Sequence, residues 1–193
     1  IAQELAAILA PQMLRPLPAA TLIQFTPKVG LTETALIAAG TEIASVPVDG
    51  VQCTFRTTTS LQVSPLNLTS ADIAQGSDGH HRLTLDFALT ANALPEEIRL
   101  FLGDEYGMAT QWLMLFASKI RSIRFVSNNG LAAQLSSKVR LPGFDEPLIP
   151  YPDNAFPGFR NLQELLFFPN KFLFVELSTR GLPAGLAGNG FRI

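Results

Sequence analysis

The sequence predicts a strand-rich α+β fold: an antiparallel sheet or sandwich with two to three helices packed on it. Three observations carry this expectation. Short runs of alternating hydrophobicity outnumber runs of helical period. The strands do not alternate with helices as βαβ units would require. Segment 82–89, RLTLDFAL, alternates cleanly, with Leu83, Leu85, Phe87 and Leu89 on one face.

Taken in order, IAQELAAILAPQML places Ile1, Leu5, Ile8 and Leu9 on one helical stripe, so a helix is already running at residue 1. Pro11 stops it, and RPLP is an extended linker. Residues 1–19 are read as the end of an N-terminal helical region with its linker, and residues 20–193 as a β-rich domain that continues beyond the chain. ATLIQF reads as a first strand and GTEIASV (Gly40–Val46) as a second. PVDG is a β-turn with Gly50 in its last position. VQCTFRT puts Val51, Cys53 and Phe55 on one face, and SLQVSPLNL is a strand broken or bulged at Pro65. GSDGHH is a loop.

EEIRLFL reads as a strand. YGMATQWLMLFASKI switches to helical period, with Met108, Trp112, Leu115 and Phe116 on one stripe. RSIRFV is a strand and SNNG a turn. The segment to Asn154 is loop, with one strand at SSKVRL. Pro157 and Gly158 open a helix over FRNLQELLFF with Phe159, Leu162 and Leu166 on one stripe, and Pro169 closes it. NKFLFVEL is then a strand buried on both faces. The helix-to-strand corner from Tyr151 to Phe174 is expected to turn its aromatic side chains mostly into the core.

Composition limits the function classes. Charged residues make up 16% of the 193 residues, where a typical soluble domain carries about 25%. The mean hydropathy is +0.25. A chain so poor in charge is expected to leave surface that a partner covers. The net charge of -2 and the lack of a basic run argue against a nucleic-acid partner. No apolar run is long enough to span a bilayer, so direct membrane insertion is not expected. The single Cys53 permits no internal disulfide.

Catalytic patterns are weak. His80 and His81 are adjacent in a Gly-rich loop, and neighbouring side chains on an extended chain point to opposite faces, which disfavours joint metal ligation even with Asp78 nearby. No Ser stands in a G-x-S-x-G elbow, and no Gly-rich phosphate loop follows a strand. The pairs Glu96–Glu97 and Asp104–Glu105 lie at element ends, where carboxylates are ordinarily solvated. No catalytic, metal or cofactor site is expected. A β-sandwich hydrolase or carbohydrate-binding domain would need His80 or His81 beside an acid, or carboxylates converging in a cleft.

Three stretches, in order, carry a resemblance. PQMLRPLPAATLIQF holds an L-R-P-x-P junction with Arg15 and Pro16. GTEIASVPVDGVQCTFRTTTSLQVSPLNL holds Gly40, Pro47, Asp49, Gly50, Phe55 and Arg56. PYPDNAFPGFRNLQELLFFPNKFLFVEL holds Pro157, Gly158, Phe159, Arg160, Gln163, Glu164, Pro169, Lys171 and Phe172. Together they resemble the TssF family of type VI secretion baseplate subunits, also called VasA or ImpG. Leu165 and Leu166 stand where an aromatic pair is expected, with Phe167 beyond. The resemblance implies a wedge component of a contractile injection machine without catalysis or cofactor. It implies a second TssF copy, TssG and TssK as partners, with other baseplate and sheath subunits beyond them. It also implies a place in the bacterial cytoplasm, at the cytoplasmic face of the inner-membrane complex. A wedge protein of a phage tail or other contractile particle is the alternative.

Overall fold

A computed structural model of the chain describes residues 2–9, 14, 16–28, 30–90, 94–135, 138–152, 155–182 and 190–193. Its elements are helices α1 (Ala2–Leu9), α2 (Tyr106–Ser118), α3 (Pro142–Asp145) and α4 (Pro157–Phe167), and eleven strands. The strands are β1 (Ala35–Ile37), β2 (Glu42–Ala44), β3 (Thr54–Arg56), β4 (Leu61–Val63), β5 (Leu66–Gln75), β6 (His81–Leu89), β7 (Glu97–Phe101), β8 (Ile123–Ser127), β9 (Ala132–Leu135), β10 (Phe174–Ser178) and β11 (Gly190–Arg192). Every named pairing is antiparallel. The strand-rich α+β expectation therefore holds.

A five-stranded sheet of order β5-β6-β11-β8-β9 faces the β7–β10 pair. The shared core takes Leu85, Phe87 and Leu89 from β6, Ile123 and Phe125 from β8 and Phe191 from β11, with Ile98 and Leu177 from the facing pair. Phe87, Phe191 and Phe125 stack across three neighbouring strands at ring separations of 5.0 and 4.6 Å. The alternation read in RLTLDFAL thus lands as expected, because a half-buried strand needs one apolar face and nothing more.

The first third of the chain is built differently. The pairs β1–β4 and β2–β3 form two separate two-stranded ribbons. Among the described residues, Pro65 is the first to be buried. Two-stranded ribbons are marginal by themselves in water. One tie to the body is the Thr90 hydroxyl, 3.4 Å from the Leu31 carbonyl.

Several element readings need correction. ATLIQF is not a strand, because it finds no ladder partner among the described residues; Ala35–Ile37 pairs with Leu61–Val63 instead. In the second ribbon the turn is Val48–Val51, not PVDG. Asp49 and Gly50 hold its two central positions with φ of 50° and 78°, the pattern of a type I′ hairpin turn. Val48 and Val51 exchange both backbone hydrogen bonds at 2.9 Å. Of SSKVRL, Ser136 and Ser137 lie outside the described residues, and in the rest Arg140 alone bridges to Glu176 before Pro142 opens α3. NKFLFVEL is a strand only from Phe174, since Pro169 starts a short 3-10 helix over Pro169–Phe172.

Candidate assembly interface

Helix α4 sits inside out. Its buried residues are Gln163 and Glu164, while Leu166 is 79% exposed and Phe159, Leu162 and Leu165 are exposed beside it. The stripe of Phe159, Leu162 and Leu166 therefore points to solvent, contrary to the sequence expectation. The aromatic side chains of the corner are not mostly core either. Phe156 and Phe159 are exposed, Phe167, Phe168 and Phe174 half-buried, and Phe172 alone buried.

The inversion has a local cause. Glu164 is wholly buried, and its Oε1 accepts the Leu148 backbone N–H at 2.7 Å. Its Oε2 takes Lys171 Nζ, which itself lies 5.0 Å from the centre of the Phe172 ring. Gln163 Oε1 accepts from the Tyr151 hydroxyl at 3.2 Å. Both inward polar side chains are satisfied, so burying them is tolerable. Burial pulls the Lys171 ammonium below its ordinary value, and Glu164 opposes that shift.

The corner is fitted around small residues. A Cβ on Gly143 would lie 2.5 Å from the Lys171 carbonyl oxygen and 2.8 Å from Phe172 Cα. Pro157 sits in the first turn of α4, where its missing N–H costs nothing. The Phe156 ring lies over Gly158 and meets Phe159 edge-on at 5.7 Å. The carbonyl of Phe144 accepts from Arg160 at 3.4 Å and Asn161 at 3.2 Å. Phe144 meets Phe172 edge-on at 4.9 Å.

Helix α2 repeats the theme. Its Glu105 carboxylate caps the first turn, accepting from Gly107 and Met108. The helix YGMATQWLMLFAS contains no charged residue, yet Ala109 is its one buried residue. Of the expected core stripe, Met108 and Leu115 are exposed and Trp112 and Phe116 half-buried. Tyr106 and Leu113 of α2, Leu162 and Leu165 of α4, and Phe144 flank an open groove of about 410 Å³ floored by Phe172 and Leu173. Arg160 Nε and Asn161 Oδ1 beside it are buried without a hydrogen-bond partner among the described residues.

Of the other signature residues, Gly40, Pro47, Asp49, Gly50, Phe55 and Arg56 fall on or beside the exposed β2–β3 ribbon. Arg15 lies outside the described residues, and Pro16 is exposed. Gly40, at φ 82°, turns the chain into β2. Phe55 is half-buried opposite Ile43. Arg56 pairs with Glu42 at 2.6 Å on the open surface, where such a pair adds little stability. Around the Asp49–Gly50 turn and Pro47, Val46, Val48 and Val51 are all exposed, Val46 by 83%. The signature blocks are thus not gathered into one cleft. The second and third blocks mark an exposed hairpin and the corner that carries the inverted helix.

Sequence reading missed a charge network centred on the buried Glu176. Glu176 in the middle of β10 takes Arg99 at 2.8 Å and Arg140 at 2.9 Å. Glu146 takes both arginines too, at 3.0 and 3.2 Å. Burial raises the Glu176 carboxyl, but the hydrogen bonds from Arg99 and Arg140 win and hold it below its ordinary value. The same bonds outweigh burial at Arg99 and raise it, and the bond to Glu176 leads in raising Arg140. A charge within the apolar run FLFVEL was the available signal.

His80 and His81 are exposed and line neither this groove nor the shallower depression around Asp86. The His80 ring nitrogen lies 2.7 Å from the Arg121 guanidinium. Among the described residues, no cluster of metal-ligating side chains is assembled, and no helix is long and apolar enough to cross a membrane.

The family description "Type VI secretion system, TssF" matches residues 1–193. Among solved structures, a chain of the type VI secretion system TssK-TssF-TssG baseplate subcomplex, determined by cryo-electron microscopy, superposes with a TM-score of 0.85 at 25% identity. The alignment covers 100% of this chain and 39% of that one. No curated protein matches the chain by sequence.

Proposed function

From the premise that this chain belongs to the type VI secretion TssF family, we propose that it forms part of a structural subunit of the secretion baseplate. It works by shape-complementary assembly with TssG-type and TssK-type subunits and a second copy of itself, not by catalysis. The observation that carries this reading is the inverted α4, which spends buried ion pairing to hold an apolar stripe outward. A solvated helix has no reason to do so; an interface core does. The uncharged α2 and the valine-tipped hairpin supply further surface of the same kind.

In this proposal the signature residues Pro157, Gly158, Arg160, Gln163, Glu164, Pro169, Lys171 and Phe172 hold the corner in shape. Phe159 and the exposed leucines meet the partner. Gly40, Asp49, Gly50, Phe55 and Arg56 shape the hairpin, and Pro47 belongs to its contact tip. Residues 1–19 end a helical region and residues 20–193 form the wedge domain. Assembly on the cytoplasmic side of the membrane complex, next to other baseplate and sheath subunits, completes the reading.

The test is co-expression of the intact protein with the TssG-type and TssK-type subunits of the same organism. A stable complex on size-exclusion chromatography is expected. An intact protein that stays monomeric in the presence of both would overturn the proposal.

A further inference from the structure

The long strand β5 (Leu66–Gln75) is an edge of the five-stranded sheet and pairs with β6 alone among the described residues. Natural edge strands are usually blunted by Lys, Pro, short length or a covering element. This edge runs ten residues without Lys or Pro. A register shift between Leu68 and Ser70 is its one irregularity, and beyond it the ladder is regular from Ser70 to Gln75. Residues 71–75 are exposed throughout.

Two further features shape what would fit. Cross-strand register places Leu68, Ala71 and Ile73 opposite Phe87, Leu85 and Leu83, so they extend the core-facing row of β6 onto the edge. There the row runs out uncovered, with Leu68 50% and Ile73 56% exposed. On the opposite side of the strand lies Asp72, its one charge. Asp72 forms no ion pair among the described residues; Arg192 feels its charge but pairs with Asp86 at 2.6 Å. The edge is also held ready: the Ser70 hydroxyl donates to Asp86 at 2.8 Å and the Thr69 hydroxyl to the Asp86 carbonyl at 3.0 Å.

We propose that Ser70–Gln75 is a docking edge that an extended segment of a baseplate partner subunit joins as a sixth strand. The open ladder of backbone N–H and C=O groups calls for a strand. Ala71 and Ile73 call for apolar residues at alternate positions of it, and Asp72 for a basic residue facing it. The inference rests on the baseplate reading and adds the mode of contact.

Backbone amide exchange tests it, on the intact protein alone and in complex with its TssG-type and TssK-type subunits. On assembly, the Ser70–Gln75 amides pointing away from β6 should slow by about a hundredfold. Unchanged exchange in the complex overturns the inference. Full protection in the intact protein alone also overturns it, since the edge is then covered by its own chain. Asp72→Arg should weaken assembly by about tenfold, with thermal unfolding unchanged; undiminished affinity counts against the basic partner strand. Failure to assemble at all removes the baseplate reading together with this inference, whereas assembly with the edge still exchanging removes this inference alone.

Discussion

Replacing Glu164 by Ala tests the claim that a buried ion pair holds α4 in its inverted pose. The carboxylate is 0% exposed, and the Lys171 side chain beside it is 10% exposed. Truncation leaves that ammonium buried without a counter-charge, which costs about 3–5 kcal/mol in comparable pairs. It also orphans the Leu148 N–H, a loss of about 1–3 kcal/mol that overlaps the first and does not simply add. At roughly 2–4 °C per kcal/mol for a chain of this length, the melting temperature should fall by about 10 °C. Urea unfolding of the single variant, of Lys171→Met and of the double variant Glu164→Leu/Lys171→Met separates the parts. The double variant should recover most of the loss but not all, because the Leu148 amide stays open.

The pH dependence adds a check. Burial lowers the Lys171 value and Glu164 counters it, so removing Glu164 lowers it further. A lysine depressed in the folded state weakens folding fully below its folded pKa, and the penalty fades as pH rises toward the unfolded value. The deficit of Glu164→Ala should therefore narrow as pH rises from neutral toward the ordinary lysine value of 10.5. A single variant within about 1 kcal/mol of wild type, or a double variant no better than the single, would refute the reasoning.

Other outcomes are expected from the same geometry. Gly143→Ala puts a methyl 2.5 Å from the Lys171 carbonyl; the displaced backbone should cost about 2 kcal/mol or more by thermal unfolding. Leu162→Asp with Leu166→Asp touches exposed side chains, so stability should change by less than about 1 kcal/mol while the complex with the baseplate subunits is lost on size-exclusion chromatography. Phe172→Ala removes a buried ring and should cost about 3–5 kcal/mol in urea unfolding; lost assembly with retained stability would mean that the ring faces a partner. Glu176 is held below its ordinary value of 4.5, so its contribution is present above that pH and lost as pH falls through the lower folded value. In acid titration, Glu176→Gln should remove that part of the pH dependence, and an unchanged acid limb would count against the network.

How much of this was legible depended on what each residue faces. The core strands were readable because Leu83, Leu85, Phe87 and Leu89 meet other parts of the same chain. The turn at Asp49–Gly50 was readable in kind but shifted by one residue, since either Pro47 or Val48 could open it and only the ladder chooses. The short strand β1 carries too few residues for a period, and its partner lies across the chain at β4. The charge within FLFVEL marked Glu176, but its network partners Arg99, Arg140 and Glu146 come from other segments, which no local pattern names.

Helix α4 failed for a more informative reason. Its period was right, and its ends at Pro157 and Pro169 were right, but the apolar face was assigned to the inside. That rule assumes that the chain alone decides what counts as inside. The same sequence carried the opposing clue: with charge at 16%, not every apolar stripe could be matched by a charged face. Gln163 and Glu164 fall on the inward side, where Tyr151, Leu148 and Lys171 await them. A polar pair with buried partners and an apolar stripe without any is the pattern of a helix whose second layer lies outside the described residues. Period locates such a helix; only the partners of its polar residues say which way it faces.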